Sequence, residues 1–131
     1  MKSFSGEFTI TAWDESTYVE REGGFKQSLA TVTQNYRGGI EGAGEIQYLM
    51  CHQAADHAVF VGYEIITATI DGKAGCMVVQ HNGKFEKGVA SSQMVVVRDS
   101  GTGELQGVEG SGHFHAEESG RALYQFTLKF T

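Results

Sequence analysis

The segment AVFVGYEIITATIDGKAGCMVVQH, residues 58–81, decides the fold. Ala58 to Ile70 is rich in β-branched and aromatic residues and apolar on both faces, which predicts a central strand covered on both sides. Asp71-Gly72 follows. A type I′ turn needs positive φ at both central positions, and Asp-Gly meets that need, so the chain is expected to reverse there. Ala74 to His81 then returns as the neighbouring antiparallel strand. Symmetric pairing about this turn sets Glu64 opposite roughly Val79 to His81, and diagonal neighbours on one face lie within reach of long side chains.

The same alternation extends both ways. Toward the amino terminus the expected strands are Ile40 to Met50, Phe25 to Tyr36, and Lys2 to Trp13. In Lys2 to Trp13, Phe4, Phe8, Ile10 and Ala12 share one face, and Ser5, Glu7, Thr9 and Thr11 the other. Asp14 to Gly24 reads as a polar connection, Arg37-Gly38-Gly39 as a tight turn, and Gln53 to His57 as a short loop. Gly42 and Gly44 mark an expected bulge or sharp coil within their strand. Toward the carboxyl terminus a second turn is expected at Asn82-Gly83. Strands follow at Lys84 to Val97, breakable at Gly88, then Glu104 to His115, and Ala122 to Phe130. Asp99 to Gly103 and Glu117-Glu118-Ser119-Gly120 are the turns between them.

These eight segments contain no helical period. The chain has 18 glycines and no proline among 131 residues. Glycine lets a sheet coil sharply, and proline would remove ladder donors. The fold class is therefore all-β, with an eight-stranded antiparallel up-and-down barrel the simplest arrangement, because closure removes exposed edges. A two-sheet sandwich is the rival. Residues 1–131 are expected to form a single domain, long enough to need no metal or disulfide staple.

Charge narrows the partners. The formal net charge is −6 and the pI about 5.3, with ten basic residues scattered along the chain. Nucleic acid and anionic membranes need clustered Lys and Arg and are not expected partners. The start of the sequence has no apolar targeting region, and Cys51 and Cys76 do not make a disulfide framework, so a cytoplasmic, reducing location is expected.

Several residues are candidates for chemistry. His81 shares a face with Met77 and Val79. It is either a general acid or base tuned by burial, or a core histidine satisfied by its neighbours. Glu64 stands in the otherwise uncharged row Phe60, Gly62, Ile66, Ala68. It is either a buried base or a solvated charge on the outer face. Trp13, Tyr48 and Tyr63 are candidate ligand-binding walls with polar tips, with subunit-interface or core packing as the alternative. Glu41, Glu45 and Gln47 read as a solvated row. His113 and His115 on one strand face would begin a zinc site only if His52, Asp56 or His57 completed it, and no metal is assigned. Gly101-Thr102-Gly103 opens no helix, so no phosphate-cradling loop and no cofactor is expected.

The strings Phe60-Val61-Gly62-Tyr63-Glu64, Asp71-Gly72-Lys73-Ala74-Gly75, Gln80-His81-Asn82-Gly83-Lys84-Phe85, Asp99-Ser100-Gly101-Thr102-Gly103-Glu104-Leu105 and Gly110-Ser111-Gly112 resemble a small bacterial family of unknown function. So do Gly6-Glu7-Phe8-Thr9-Ile10-Thr11-Ala12-Trp13-Asp14-Glu15 and Ile40-Glu41-Gly42-Ala43-Gly44, and the likeness spans nearly the whole chain. That family resembles the barrel of allene oxide cyclase and, more distantly, the dirigent proteins. The resemblance implies a barrel acting on small apolar molecules and an oligomeric assembly.

The function expected is thus binding of a small, largely apolar organic ligand, with isomerisation or cyclisation by substrate positioning, for which His81 and Glu64 would be the catalytic pair. A non-catalytic carrier or sensor is the alternative, as is a structural oligomer whose barrel is filled by its own side chains. A homo-oligomer, most simply a dimer, is expected because a barrel wall needs only one dry face and the strand at Ala58 to Ile70 has two.

Overall fold

A computed structural model describes residues 1–117 and 120–131. Eight strands run in order, each antiparallel to the next, and the last pairs with the first to close a barrel. They are β1 (Lys2–Glu20), β2 (Lys26–Gly38), β3 (Ile40–Ala54), β4 (His57–Ile70), β5 (Lys73–Glu86), β6 (Val89–Val96), β7 (Glu109–Ala116) and β8 (Ala122–Lys129). Two short 3₁₀ turns, Glu22–Gly24 and Gly103–Leu105, complete the described structure. No helix among the described residues is long and apolar enough to cross a membrane.

The Asp71-Gly72 hairpin forms as expected, with φ of 54° and 76° at its two central residues. Asn82-Gly83 does not turn. It lies inside β5, where Asn82 pairs with Val61 and Gln93, and Gly83 with Phe60 and Ser92. The reason is space: a Cβ on Gly83 would sit 2.4 Å from the Phe60 ring. Gly83 therefore seats an aromatic side chain, and the reversal comes at Lys87-Gly88, with φ of 52° and 84°. The expected bulge at Gly42 and Gly44 is likewise absent, since β3 keeps unbroken register with β4 from Ile40 to His52.

β1 is longer than its sequence suggests. The expected polar connection after Trp13 is strand to Glu20, paired with β2 through Glu20 opposite Lys26. The periodicity is first lost at Thr11, and a second shift follows between Thr17 and Val19. Ile10 lies opposite Gln34 and Ala12 opposite Thr33, so Thr11 is an extra residue, a bulge. A one-residue slip exchanges the two faces of a strand. Beyond Thr11, Trp13 and Glu15 turn inward and Ala12 outward, the reverse of the simple alternation.

The expected strand from Glu104 begins only at Glu109. Residues 97–108 instead fold back along the first half of β5, which β6 does not reach. Thr102 N donates to Cys76 O (2.9 Å), Val97 N to Val78 O (2.8 Å), and Val78 N to Ser100 Oγ (3.0 Å). Glu118 and Ser119, in the expected turn before β8, lie outside the described residues.

Inward residues from all eight strands form one core. At one end Ile40, Ile70, Phe126 and Leu128 are fully enclosed, as are Leu105 and Val108 of the folded-back segment. An eight-stranded barrel is just wide enough for side chains to fill it, and this end is filled. The other end, where β1 passes the bulge, is open. On β4 the outer row is uncovered: Val59, Val61, Tyr63 and Ile65 are all exposed, so the two-sided covering expected of this strand is not present within one chain.

Candidate functional site

Two polar groups of different character occupy the barrel. The deeper one is wholly buried. Gly62 pairs with His81 across the hairpin, and Glu64 is the diagonal neighbour on the same inward face. The expected meeting of Glu64 and His81 is what the register produces: Glu64 Oε1 and His81 Nε2 lie 2.7 Å apart, and both side chains have 0% exposure. Glu64 Oε2 accepts from Tyr36 Oη and from Gln34 Nε2 (3.1 Å), and Gln34 Nε2 also donates to Tyr36 Oη (2.8 Å). On the other side His81 Nδ1 lies 3.0 Å from Ser92 Oγ, which donates to Gln93 O (3.1 Å). Because Ser92 Oγ donates to Gln93 O, it is free to accept from His81 Nδ1, while His81 Nε2 faces the Glu64 carboxyl. Gly44 makes the room: a Cβ there would lie 2.0 Å from Glu64 Oε2.

Burial, together with the nearby Glu64 carboxyl, pushes the Tyr36 phenol well above its ordinary range, and the same two causes raise Tyr48. Both stay neutral hydroxyls.

Above this network lies the open-end cavity, about 260 Å³ in volume. Its wall is mostly apolar and strongly aromatic: Phe8, Trp13, Tyr48, Phe60, Phe85 and Phe114, with Val32, Met50, Ala90 and Ala116 between them. Glu64 and His81 are not among the lining residues. They sit beneath its floor, under Gln34, Tyr48, Phe60 and Phe114, and the His81 ring packs edge-on against Tyr48 (5.3 Å between centroids) and tilted against Phe114 (5.7 Å). A ligand in the cavity meets that floor first, so the pair expected as catalytic is placed to hold the floor.

The second polar group is at the mouth. Glu15 accepts from Trp13 Nε1 through Oε1 (2.9 Å) and from Ser28 Oγ through Oε2 (2.6 Å), and Oε2 is 2.9 Å from His52 Nε2. Glu15 and His52 both line the cavity and are 22% and 18% exposed. Burial raises the Glu15 carboxyl, but the hydrogen bonds from Ser28, Trp13 and His52 outweigh it and hold the group below the usual carboxylate range.

The expected wall residues divide. Tyr48 lines the cavity by simple alternation. Trp13 lines it only because of the bulge at Thr11. Tyr63 does not line it: Tyr63 faces outward, 57% exposed, in a shallow external groove with Leu29, Leu49, Val61 and Ile65. Its neighbour Glu64 points inward, and consecutive strand residues face opposite ways. The candidate zinc ligands stay apart. His113 and His115 lie on an outer surface with Arg121, whereas His52 faces the cavity and His57 pairs with Asp56 (2.7 Å) in the β3–β4 turn region. Among the described residues no three of His, Cys, Asp and Glu group as a metal site. The Glu15–His52 pair was missed because Glu15 fell in a stretch read as a connection. The signal that finds it is the pairing of that stretch with Ser28 to Thr31.

The sequence profile described as "Protein of unknown function (DUF3224)" matches residues 4–128. A crystal structure of a protein of unknown function from the DUF3224 family of Shewanella oneidensis MR-1 is similar to this chain, with a TM-score of 0.80 and 24% identity, covering 100% of this chain and 98% of that one. Among curated proteins no match was found.

Proposed function

The chain belongs to the DUF3224 family of proteins of unknown function, and from that premise we propose that its barrel binds a small, largely apolar organic molecule in the open-end cavity. The observation that carries this reading is the cavity itself: 260 Å³ walled by six aromatic side chains at the one end of the barrel that is not filled. At about 30 Å³ for each water, it has the volume of roughly nine waters. That suits a ligand of on the order of ten non-hydrogen atoms, smaller than a fatty acyl chain. The likeness to the allene oxide cyclase barrel suggests isomerisation or cyclisation of such a ligand by confinement in a reactive shape. Any proton-handling side chain that touches the ligand would then be Glu15 or His52, with Glu64 and His81 fixing the floor. The carrier or sensor reading uses the same cavity without turnover.

Trp13 is the sole tryptophan and lines the cavity, so its indole N–H resonance reports on occupancy. Titration with naphthalene is expected to shift it saturably. Ala116→Phe puts a ring into the space and is expected to weaken binding at least tenfold with the fold intact. An indole resonance indifferent to naphthalene in the native chain overturns the reading.

A second copy of the chain is the proposed cover for the outer face of β3 and β4. Leu49, Val59, Val61, Tyr63 and Ile65 form an exposed apolar field there, and Tyr63 and Gln80 lie opposite each other at its edge. Contiguous apolar surface of this kind is uncommon on soluble monomers, and a two-fold axis through it would bury it on both copies. The native chain is expected to sediment as a dimer, and Val61→Lys with Ile65→Lys as a 14.2 kDa monomer. A native monomer at micromolar concentration would end this proposal. The thiols Cys51 and Cys76 are free, which suits the cytoplasmic location proposed for the chain.

A further inference from the structure

The polar atoms left open in the cavity describe the ligand more closely than its apolar wall does. Glu15 is engaged by three donors. His52 uses Nε2 toward Glu15, and Nδ1 has no partner among the described residues. No buried side-chain nitrogen or oxygen among the described residues lacks a partner, so Nδ1 is reached by solvent at the cavity mouth. A carboxylate on Nε2 fixes the proton of a neutral imidazole there and leaves Nδ1 as an acceptor. The same reasoning applies to Gln34. Its Nε2 donates toward Tyr36 Oη and Glu64 Oε2, which lie on the same side of the amide, and its carbonyl oxygen has no partner among the described residues and is left for the cavity it lines. The open end therefore offers two acceptors, His52 Nδ1 near the rim and Gln34 Oε1 at the floor, beside the Tyr48 hydroxyl, which can donate or accept and so suits a hydroxyl ligand.

We propose that the ligand is a neutral aromatic alcohol or phenol of about ten non-hydrogen atoms, its ring against Trp13 and Tyr48 and its hydroxyl donating to His52 Nδ1, with Glu15 as the positioning residue that fixes the imidazole. This rests on the cavity being a binding site, the reading given above. A carboxylate ligand would face Glu15 in a chain of net charge −6. A plain hydrocarbon would leave the acceptor without a partner and forfeit its hydrogen bond. An ammonium group would need a free carboxylate, and the Glu15 oxygens are already engaged by Ser28, Trp13 and His52.

The test compares four probes of one shape, followed through the Trp13 indole resonance of the native chain: 1-naphthol, naphthalene, 1-naphthoate and 1-naphthylmethylammonium. The hydroxyl should tighten binding roughly three- to tenfold over naphthalene, as one neutral hydrogen bond does. Naphthoate should bind more weakly than naphthalene. In His52→Leu, the preference for naphthol over naphthalene is expected to disappear. Equal binding of naphthol and naphthalene to the native chain overturns this inference and leaves the cavity reading standing. So does a preference for the ammonium probe. Failure of all four overturns both. The comparison of probes on the native chain decides the matter even if His52→Leu does not fold.

Discussion

Glu64→Leu or His81→Leu is expected to destabilise the barrel by about 3–5 kcal/mol, the range seen when one partner of a buried ion pair is removed and the other stays behind. For a chain of this length that corresponds to a fall in Tm of roughly 10–20 °C. Leucine is close in size to both side chains, so the loss reports on the polar network and hardly at all on volume. Removing Glu64 takes the acceptor from His81 Nε2 and from the Tyr36 hydroxyl, both in buried side chains. Removing His81 strands Glu64 Oε1 and takes a partner from Ser92. The double variant Glu64→Leu with His81→Leu should lose at least about 2 kcal/mol less than the sum of the singles, because each single leaves what the other removes. It should not recover fully, since Tyr36, Gln34 and Ser92 keep their polar atoms. Chemical denaturation of the four proteins reads this directly. Single variants within about 1 kcal/mol of the native chain would show that the network adds little to stability.

The second large effect is expected at Gly44. Gly44→Ala should cost about 2–4 kcal/mol, at or above the usual range for overpacking a filled core. The cause is space alone, because the Gly44 backbone is not in the left-handed region that favours glycine. The new Cβ would lie 2.0 Å from Glu64 Oε2 and 3.0 Å from both Glu64 Cδ and Tyr36 Cε2. The carboxylate cannot yield without stretching its contacts to Tyr36, Gln34 and His81. The same substitution in a Glu64→Ala background should therefore cost about 1 kcal/mol or less, as only the edge of the Tyr36 ring, 3.0 Å away, then stands near the methyl group. An equal cost in both backgrounds would point to a backbone cause instead. Equilibrium unfolding of the four chains measures the coupling.

Most of the barrel can be read from the sequence. Period-two alternation finds the strands, Asp71-Gly72 finds the central hairpin, and that hairpin alone is enough to bring Glu64 beside His81. The misreadings of turns and bulges share one physical origin: a strand carries no local mark of where its partner ends. Asn82-Gly83 has the composition of a turn, but Phe60, a residue distant in sequence, needs the space over Gly83 and keeps the strand extended. Gly44 looks like a kink for the same reason, when it is a recess for a carboxylate from β4. Thr11 gives no sign of being supernumerary, because a bulge shows only in the partner's register. That one residue hid the inward face of the stretch from Trp13 to Thr17, and with it the Glu15–His52 pair. Tyr63 was misassigned for a simpler reason. On a strand apolar on both faces, alternation separates the two rows but does not say which is inside.

The bulge at Thr11 also divides the barrel's evolutionary liberties. Before it, β1 runs in register with β8 and seals the packed end. After it, β1 pairs only with β2, and its inward positions are cavity wall. Losing Thr11 would close the bulge and leave Trp13 and Glu15 opposite Val32 and Ala30, at the same wall, without altering any other strand. The mouth can thus lose one residue of length and keep its lining, whereas the sealed end, where β1 is held on both edges, carries no such slack. Relatives one residue shorter at this point should therefore keep both the barrel and the residues at its mouth.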